Sequence, residues 1–437
     1  MAEGRNLLLI TLDTTRADHL SCLGGEPGNT PQIDRLADRS ALFTFATSET
    51  NVTNPSHLSI MTGLPAIEHR VISNTVLVPQ RVDTLAEGMQ RAGYETAAFL
   101  AVNHLASAGW RGFDTLPDVD GILDGADVTK RALNWLQGRD GGRPFFAWVH
   151  FFDSHILYTP PAELARRFYP GDPRAGAGAR ITEHEYFASG RSPALVKWLQ
   201  GVRDTAYPRA LYAATLNHVD TQVGRLLEAL DHAQLTDETV VVLTADHGET
   251  LDEHDLFYTH GGLYEEDLRI PLIIHLPGVG ARRCDSFVST IDIVPTLEEA
   301  MGFRLERDFG GLSLLSEILP AGAMEAQAGV AERDVFVHQQ AHNHSAAARQ
   351  GDWKLWWPIS GDESLPVTEP QLFNLREDPG ETRNLFRDEP ERAAVLERQL
   401  RPWIELKGVE KGSLMKRTKA QRQQLRELGY AGGEGDD

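Results

Sequence analysis

Cysteine is nearly absent. Cys22 and Cys284 are the two in 437 residues, too few and too far apart for a disulfide framework or a thiolate metal site. Positive charge is also scarce: 42 Lys and Arg stand against 63 Asp and Glu, a formal net charge of −21. That balance argues against nucleic acid or an anionic membrane as the main partner. A small anionic substrate would then need a local positive centre, such as a metal ion. Long apolar runs are missing too. Leu7-Leu8-Leu9-Ile10-Thr11-Leu12 stops at Asp13, far short of the ~20 residues that span a bilayer. No small-residue cleavage site follows it, so the expected location is cytoplasmic. Low-complexity tracts and internal repeats are likewise absent.

What is present alternates. Short apolar runs and amphipathic stretches succeed one another through the first half of the chain, the pattern of helices packed on a mainly parallel sheet. Strands are expected over residues 6–12, 42–46, 95–102, 144–152, 239–244 and 272–275. Helices are expected over 82–92, 210–230 and 292–301, with a loop or lid over 171–190. Thr30-Pro31 reads as the start of a helix, Pro at its first position. Residues 55–62 read as a short helix closed by Gly63. Composition shifts near residue 319, and 321–331 reads as a connector. Beyond it, 334–338, 346–349 and 353–357 suggest a small antiparallel sheet, and 389–406 and 416–428 suggest helices. The expected architecture is a doubly wound α/β domain over 1–325 and a smaller C-terminal α+β domain over 326–437.

Three features converge on chemistry. Asp13 ends the first strand, where open parallel sheets bind ligands. Asp246-His247-Gly248-Glu249 ends another β-branched run. It offers a hard oxygen and an imidazole nitrogen, a donor set that suits Zn, Mn, Mg or Ca. Thr53, just ahead of Pro55, falls at a helix N-terminus, where free N–H groups and the dipole favour an anion. A divalent ion there would lower the hydroxyl pKa enough to make a nucleophile. Asp18 either joins that site or pairs with Arg16. His57 could contact the substrate anion or hold Thr53, and His155 or His260 could serve as general acid. His254, among Asp252, Glu253 and Asp255, reads as part of a solvated loop. His338, His342 and His344 read as a loop or strand surface.

Several ordered segments now carry a resemblance. They are Leu12-Asp13-Thr14-Thr15-Arg16, Thr30-Pro31-Gln32-Ile33-Asp34, Pro55-Ser56-His57-Leu58-Ser59, Asp246-His247-Gly248-Glu249 and Gln371-Leu372-Phe373-Asn374-Leu375. Together they resemble the sulfatase branch of the alkaline phosphatase superfamily. The resemblance implies metal ligation by Asp13, Thr53, Asp246 and His247, with His155 and His260 near the substrate's anionic group. His260 stands where sulfatases usually have Lys, and His57 where they usually have Arg. Thr14 replaces a second Asp and His247 an Asn, which makes the site less like a calcium-bound one. Sulfatases carry Cys or Ser at the nucleophile position, oxidised to formylglycine. Thr53 cannot give that aldehyde, so water must cleave a covalent Thr ester, as in superfamily relatives that act on phosphodiesters and phosphonates.

The expected protein is therefore a metal-dependent hydrolase of a sulfate, phosphate or phosphonate ester, tilted toward phosphodiesters and phosphonate esters. Its cofactor is a divalent ion (Zn, Mn or Ca), one favoured over two. A second ion would draw on Asp153, His155 and His260. The alternatives are a phosphomonoester transferase or mutase on the same scaffold, and a non-catalytic, metal-stabilised binding protein. Sequence leaves the oligomeric state and the alcohol half of the substrate open.

Overall fold

The structure is a computed structural model that describes residues 4–176, 178–188, 193–320, 335–339, 345–359 and 367–405. The expected connector over 321–331 and the expected helix over 416–428 lie outside the described residues.

Seven strands form the main sheet: β1 (Asn6–Leu12), β2 (Ala41–Thr47), β3 (Glu95–Phe99), β4 (Phe145–Phe151), β5 (Thr239–Ala245), β6 (Arg269–His275) and β7 (Arg282–Ser289). Their order is β3-β4-β1-β5-β6-β2-β7. β3, β4, β1 and β5 run parallel, β6 is antiparallel to β5 and β2, and β2 and β7 are parallel. β1, β4 and β5 are buried at every residue. This explains their unbroken apolar runs, because helices cover both faces of a parallel sheet. The long helix Ala206–His232 packs beside helix α1 (Pro31–Ala37) and helix Gly125–Gly138. Pro31 holds the first position of α1, as its sequence predicts. Thr30 does not cap its own helix, and its hydroxyl instead accepts the Ser21 N–H at 2.9 Å.

Two sheet strands were not expected, β7 and Gln371–Asn374 of the second sheet. β7 reads Arg-Arg-Cys-Asp-Ser-Phe-Val-Ser and is an edge strand with exposed positions at its start. It carries no strand signal because its first residues are charged and exposed and its buried positions do not alternate. The expected loop over 171–190 contains a turn of 3-10 helix (Ile181–Glu183) and a helix Glu185–Ala188.

A second sheet orders β8 (Val335–Gln339), β9 (Ser345–Gln350), β10 (Trp353–Pro358) and β11 (Gln371–Asn374) antiparallel, as β11-β10-β9-β8. Its two faces alternate along the strands. Ala346, Ala348, Leu355 and Leu372 pack on Ala393, Leu396 and Leu400 of helix Pro390–Ile404. Ala347, Trp356 and Phe373 pack on Leu263, Tyr264 and Leu268, the stretch that follows His260. That seam contains a buried cation. Lys354 Nζ lies 3.1 Å from Glu265 and 2.9 Å from Glu381, and Arg349 reaches the other Glu265 oxygen at 2.7 Å. Replacing Lys354 by Met would leave the buried Glu381 carboxylate without its cation, while Glu265 keeps Arg349. Lys354→Met is therefore expected to lose about 3–5 kcal/mol in urea unfolding, and an unchanged midpoint would contradict this role.

Two histidines expected at the surface are not there. His338 is 1% exposed, and its Nδ1–H donates to Ser48 O at 2.7 Å, so β8 reaches back to the main sheet. The ring of His254 stacks on Tyr264 at 3.6 Å, with 11% of its side chain exposed.

Candidate active site

Parallel register builds the centre. Leu12 of β1 lies opposite Ala245 of β5, so the next residues, Asp13 and Asp246, leave adjacent strand ends side by side. Both are fully buried, as is His247. One ligand atom from each of the three falls within 4.8 Å of the others, and no other such group of three occurs among the described residues.

The hydrogen bonds assign a role to every atom. Asp13 Oδ2 lies 3.1 Å from His150 Nε2, while Oδ1 has no partner. Asp246 Oδ1 accepts the N–H groups of Thr14 and His247 at 3.1 and 2.8 Å, while Oδ2 has no partner. His247 Nδ1 lies 3.0 Å from Gly248 O. A carbonyl only accepts, so Nδ1 carries the proton and Nε2 presents its lone pair. Nε2 is buried and unpartnered as well. Two carboxylate oxygens and an imidazole lone pair, each orphaned beside the others, are costly unless a cation takes them. A divalent metal fits this donor set. Thr14 Oγ1 is a further buried oxygen without a partner. Its residue sits at φ 48°, a left-handed conformation that turns the Thr14 N–H onto Asp246.

Burial sets the charges. Desolvation pushes the Asp13 and Asp246 carboxyls up, and Asp13 rises further because Asp246 and Glu249 face it. Burial pulls His247 down to about 4. These directions mark a site that repels its own charge. Gly248 is required by close approach: a Cβ there would collide with the carbonyl oxygen of Glu266. The same backbone donates twice to that segment, Gly248 N–H to Asp267 O at 2.7 Å and Glu249 N–H to Glu266 O at 3.0 Å.

Thr53 opens α2 (Thr53–Thr62), which ends at Gly63 with φ 66°. The helix starts two residues earlier than its sequence suggests, with Val52 at the N-cap and Thr53 at the first helical position. Pro55 is tolerated because the first-turn N–H groups have no intrahelical acceptor. Ser56 Oγ donates to Asp246 O at 2.7 Å, and Asn54 N–H donates to Asn74 Oδ1 at 2.8 Å. The first turn of α2 is thus tied to the carboxylate centre.

His57 is fully buried, with Nδ1 2.8 Å from Thr53 O and 3.7 Å from Asp246 Oδ2. His260 Nδ1 lies 2.9 Å from Asn51 O, and its ring is 4.5 Å from that of His247 and 5.4 Å from that of His155. His155 stacks on Phe152 at 4.3 Å, and its Nδ1–H donates to Ile156 O at 2.7 Å. Burial beside His247 pulls His260 down to about 3, and burial beside His260 lowers His155.

The expected second ligand set does not assemble. Asp153 accepts the Gly125 N–H at 2.9 Å and faces His218 at 3.8 Å, and it forms no ligand group with His155 and His260. Asp18 pairs with Arg16 at 2.8 Å.

Four positions escaped sequence reasoning. His150 bonds Asp13, Ser154 Oγ donates to Asp13 O at 2.6 Å, and Asn51 Nδ2 donates to His260 O and Gly262 O at 2.7 and 2.8 Å. Glu249, fully buried, accepts from Tyr158 Oη at 3.2 Å. Strand parity was the available signal for His150, two residues beyond Trp148 on the expected strand over 144–152.

A buried carboxylate–imidazole centre at the strand ends of a mainly parallel α/β sheet, faced by a helix N-terminus, defines an alkaline phosphatase-like hydrolase scaffold. The chain belongs to the sulfatase family, whose family model (Sulfatase) matches residues 5–303, and is a hydrolase acting on ester bonds. It is 26% identical over 432 residues to the sulfatase YidJ of Escherichia coli strain K12, covering 88% of this chain and 83% of that protein. It is 26% identical over 487 residues to the multifunctional alkaline phosphatase superfamily protein PehA of Trinickia caryophylli, covering 90% and 93%. Its fold matches the phosphonate monoester hydrolase of Agrobacterium radiobacter with a TM-score of 0.73 at 23% identity, over 91% of this chain and 95% of that one. No described helix is long and apolar enough to cross a membrane.

Proposed function

We propose that the chain cleaves a phosphodiester, phosphonate ester or sulfate ester through a covalent Thr53 intermediate, with the phosphorus esters preferred. The observation that carries this reading is Thr53 itself. It is a fully buried hydroxyl at the first position of α2, on a turn bonded to Asp246. A secondary alcohol cannot become formylglycine, so release of the product requires water to attack the phosphorus or sulfur. The name of PehA, a multifunctional member of the superfamily, accords with a site that takes more than one ester.

Asp13, Asp246 and His247 would hold one divalent ion. When bound, the ion lowers the pKa of a ligating hydroxyl and draws charge from the ester oxygens. The helix N-terminus adds N–H groups for the developing negative charge. His260 enters neutral, with its proton fixed on Nδ1 by Asn51 O. Its Nε2 can therefore take the Thr53 hydroxyl proton as the Oγ1–P or Oγ1–S bond forms. The same proton passes to the departing alkoxide as its bond to phosphorus or sulfur breaks. In the second half, Nε2 takes a proton from water and returns it to Thr53 as the covalent ester opens. His155, stacked against Phe152 beside His260, confines that ring.

The test is a matched panel with one leaving group: aryl sulfate, aryl phosphate, bis-aryl phosphate and aryl phenylphosphonate. The expected order places the diester and phosphonate at least about tenfold above the sulfate in kcat/KM, a difference of ~1.4 kcal/mol. A sulfate rate above both would reverse the preference.

His69 gives a prediction away from the centre. Its Nδ1 accepts the Val71 N–H at 3.1 Å, its Nε2–H donates to Ser59 Oγ at 3.0 Å, and burial holds it at about 3. The folded state thus binds the proton more weakly than the unfolded chain. This contribution is complete above pH 6.5 and is lost as pH falls toward the folded value. Measured against a His69→Gln variant in urea, the protein is expected to lose about 3 kcal/mol of relative stability between pH 7 and pH 4. A constant difference would contradict this account.

A further inference from the structure

His57 stands inside a hydrogen-bond chain whose proton positions can be read atom by atom. His57 Nδ1 lies 2.8 Å from the carbonyl oxygen of Thr53. That oxygen can only accept, so the ring proton sits on Nδ1. The other nitrogen, Nε2, lies 3.1 Å from Thr11 Oγ1, and Oγ1 in turn accepts the indole N–H of Trp148 at 2.9 Å. Because the ring proton is on Nδ1, Nε2 can only accept, and the Thr11 hydroxyl donates to it. The chain therefore runs from Trp148 Nε1–H to Thr11 Oγ1–H to His57 Nε2, and from His57 Nδ1–H to Thr53 O. Every polar ring atom of His57 is consumed. Trp148, Thr11 and His57 are all 0% exposed.

We infer that His57 is a positioning residue: the Trp148–Thr11–His57 chain fixes one imidazole tautomer and through it locks the first turn of α2, and so Thr53, onto the strand that carries Asp13. Thr11 and Asp13 are two residues apart on an extended chain and project to the same side. A bond from Thr11 to the α2 turn is thus a bond between the nucleophile's helix and the carboxylate's strand. Ser56 Oγ makes the matching bond to Asp246 O at 2.7 Å. α2 is therefore pinned to both strand ends that supply the carboxylates. Neighbouring rings hold the assembly in place. His150 meets His57 edge-on at 4.9 Å, and Trp110 meets Trp148 edge-on at 5.2 Å. Burial lowers the His57 pKa, in keeping with a ring that stays neutral. With both nitrogens committed, His57 has no donor to offer a substrate anion, so its contribution passes through Thr53.

This inference rests on Thr53 being the nucleophile, and the experiment separates the two claims. Protein labelled with 15N-histidine is examined by long-range 1H–15N correlation, alongside kinetics of Thr11→Val and Thr11→Ser on the bis-aryl phosphate. In the parent protein, His57 is expected to show a protonated Nδ1 and an unprotonated Nε2. Thr11→Val keeps the shape and removes the hydroxyl. It is expected to mix the His57 tautomers and to lower kcat about tenfold to hundredfold with KM little changed. Thr11→Ser, which keeps the hydroxyl, is expected to restore both the spectrum and most of kcat. A parent spectrum with the proton on Nε2 overturns the inference, even where Thr11→Val fails to fold. So does a folded Thr11→Val protein with parental kcat. Parental turnover in Thr53→Ala would remove the nucleophile and leave the tautomer result standing.

Discussion

Thr53→Ala is expected to lower kcat/KM by at least about a thousandfold, roughly 4 kcal/mol of transition-state stabilisation, while the protein stays folded. The substitution removes one hydroxyl and one methyl from a buried helix start. The turn keeps its other anchors, Ser56 on Asp246 and Asn54 on Asn74. What disappears is the proposed nucleophile. Residual turnover would come from water at a site still able to bind the ester, and such a remnant is usual when a nucleophile is deleted. Two companions sharpen the result. Thr53→Ser keeps a hydroxyl and is expected to retain part of the rate. Rapid acid quench of the parent protein with the phosphonate ester is expected to leave a phosphonyl group on the peptide containing Thr53, visible by mass spectrometry. Full activity in Thr53→Ala, or an adduct on another residue, would contradict the mechanism.

The second large effect concerns Asp246. Asp246→Asn is expected to abolish stimulation by divalent cations and to cut turnover by about a thousandfold or more, at ~1.4 kcal/mol per decade. Its effect on stability carries an opposite sign in the two states of the protein. Without the cation, Asp13 and Asp246 are buried side by side; burial pushes both carboxyls up, and the charge of Asp246 pushes Asp13 further. Neutralising one removes that repulsion, so the metal-free variant is expected to melt no lower than the metal-free parent. With the cation, the parent gains stability by mass action, about 2.7 kcal/mol at a hundred times the dissociation constant. The variant is expected to gain little. Melting curves with and without Zn, Mn and Ca, after chelation, check both halves. An equal cation-induced shift in the two proteins would remove Asp246 from the ligand set.

Much of the architecture is legible because burial leaves a mark on sequence. β1, β4 and β5 are covered on both faces and read as continuous apolar runs, and Asp13 and Asp246 stand out as the first charges beyond them. α2 announces its end with Gly63, which takes a left-handed conformation that other residues resist. Its start was less clear. Pro55 drew the expected boundary to itself, whereas the first-turn N–H groups need no intrahelical acceptor and the helix begins at Thr53. β7 was invisible, since its first half is charged and exposed and its buried positions do not alternate. The centre itself is half legible. The ligand types and strand ends could be read locally. The partners that orient them could not, because His150, Ser154 and Asn51 reach Asp13 and His260 across long sequence separations. The expected solvated place for His338 failed for the same reason: its partner, Ser48, is 290 residues away.

For His57 the sequence left two roles open, a contact with the substrate anion or a hold on Thr53. Here its two nitrogens are spent on Thr53 O and Thr11 Oγ1, and its identity matters for the tautomer it holds.

The central claim is that Asp13, Asp246 and His247 share one divalent cation beside Thr53. The most direct measurement is anomalous diffraction from crystals of the protein reconstituted with Zn or Mn. The account predicts a single peak per chain, bonded to Asp13 Oδ1, Asp246 Oδ2 and His247 Nε2 at about 2.0–2.2 Å. A peak elsewhere, or none at those three atoms at saturating metal, would contradict it.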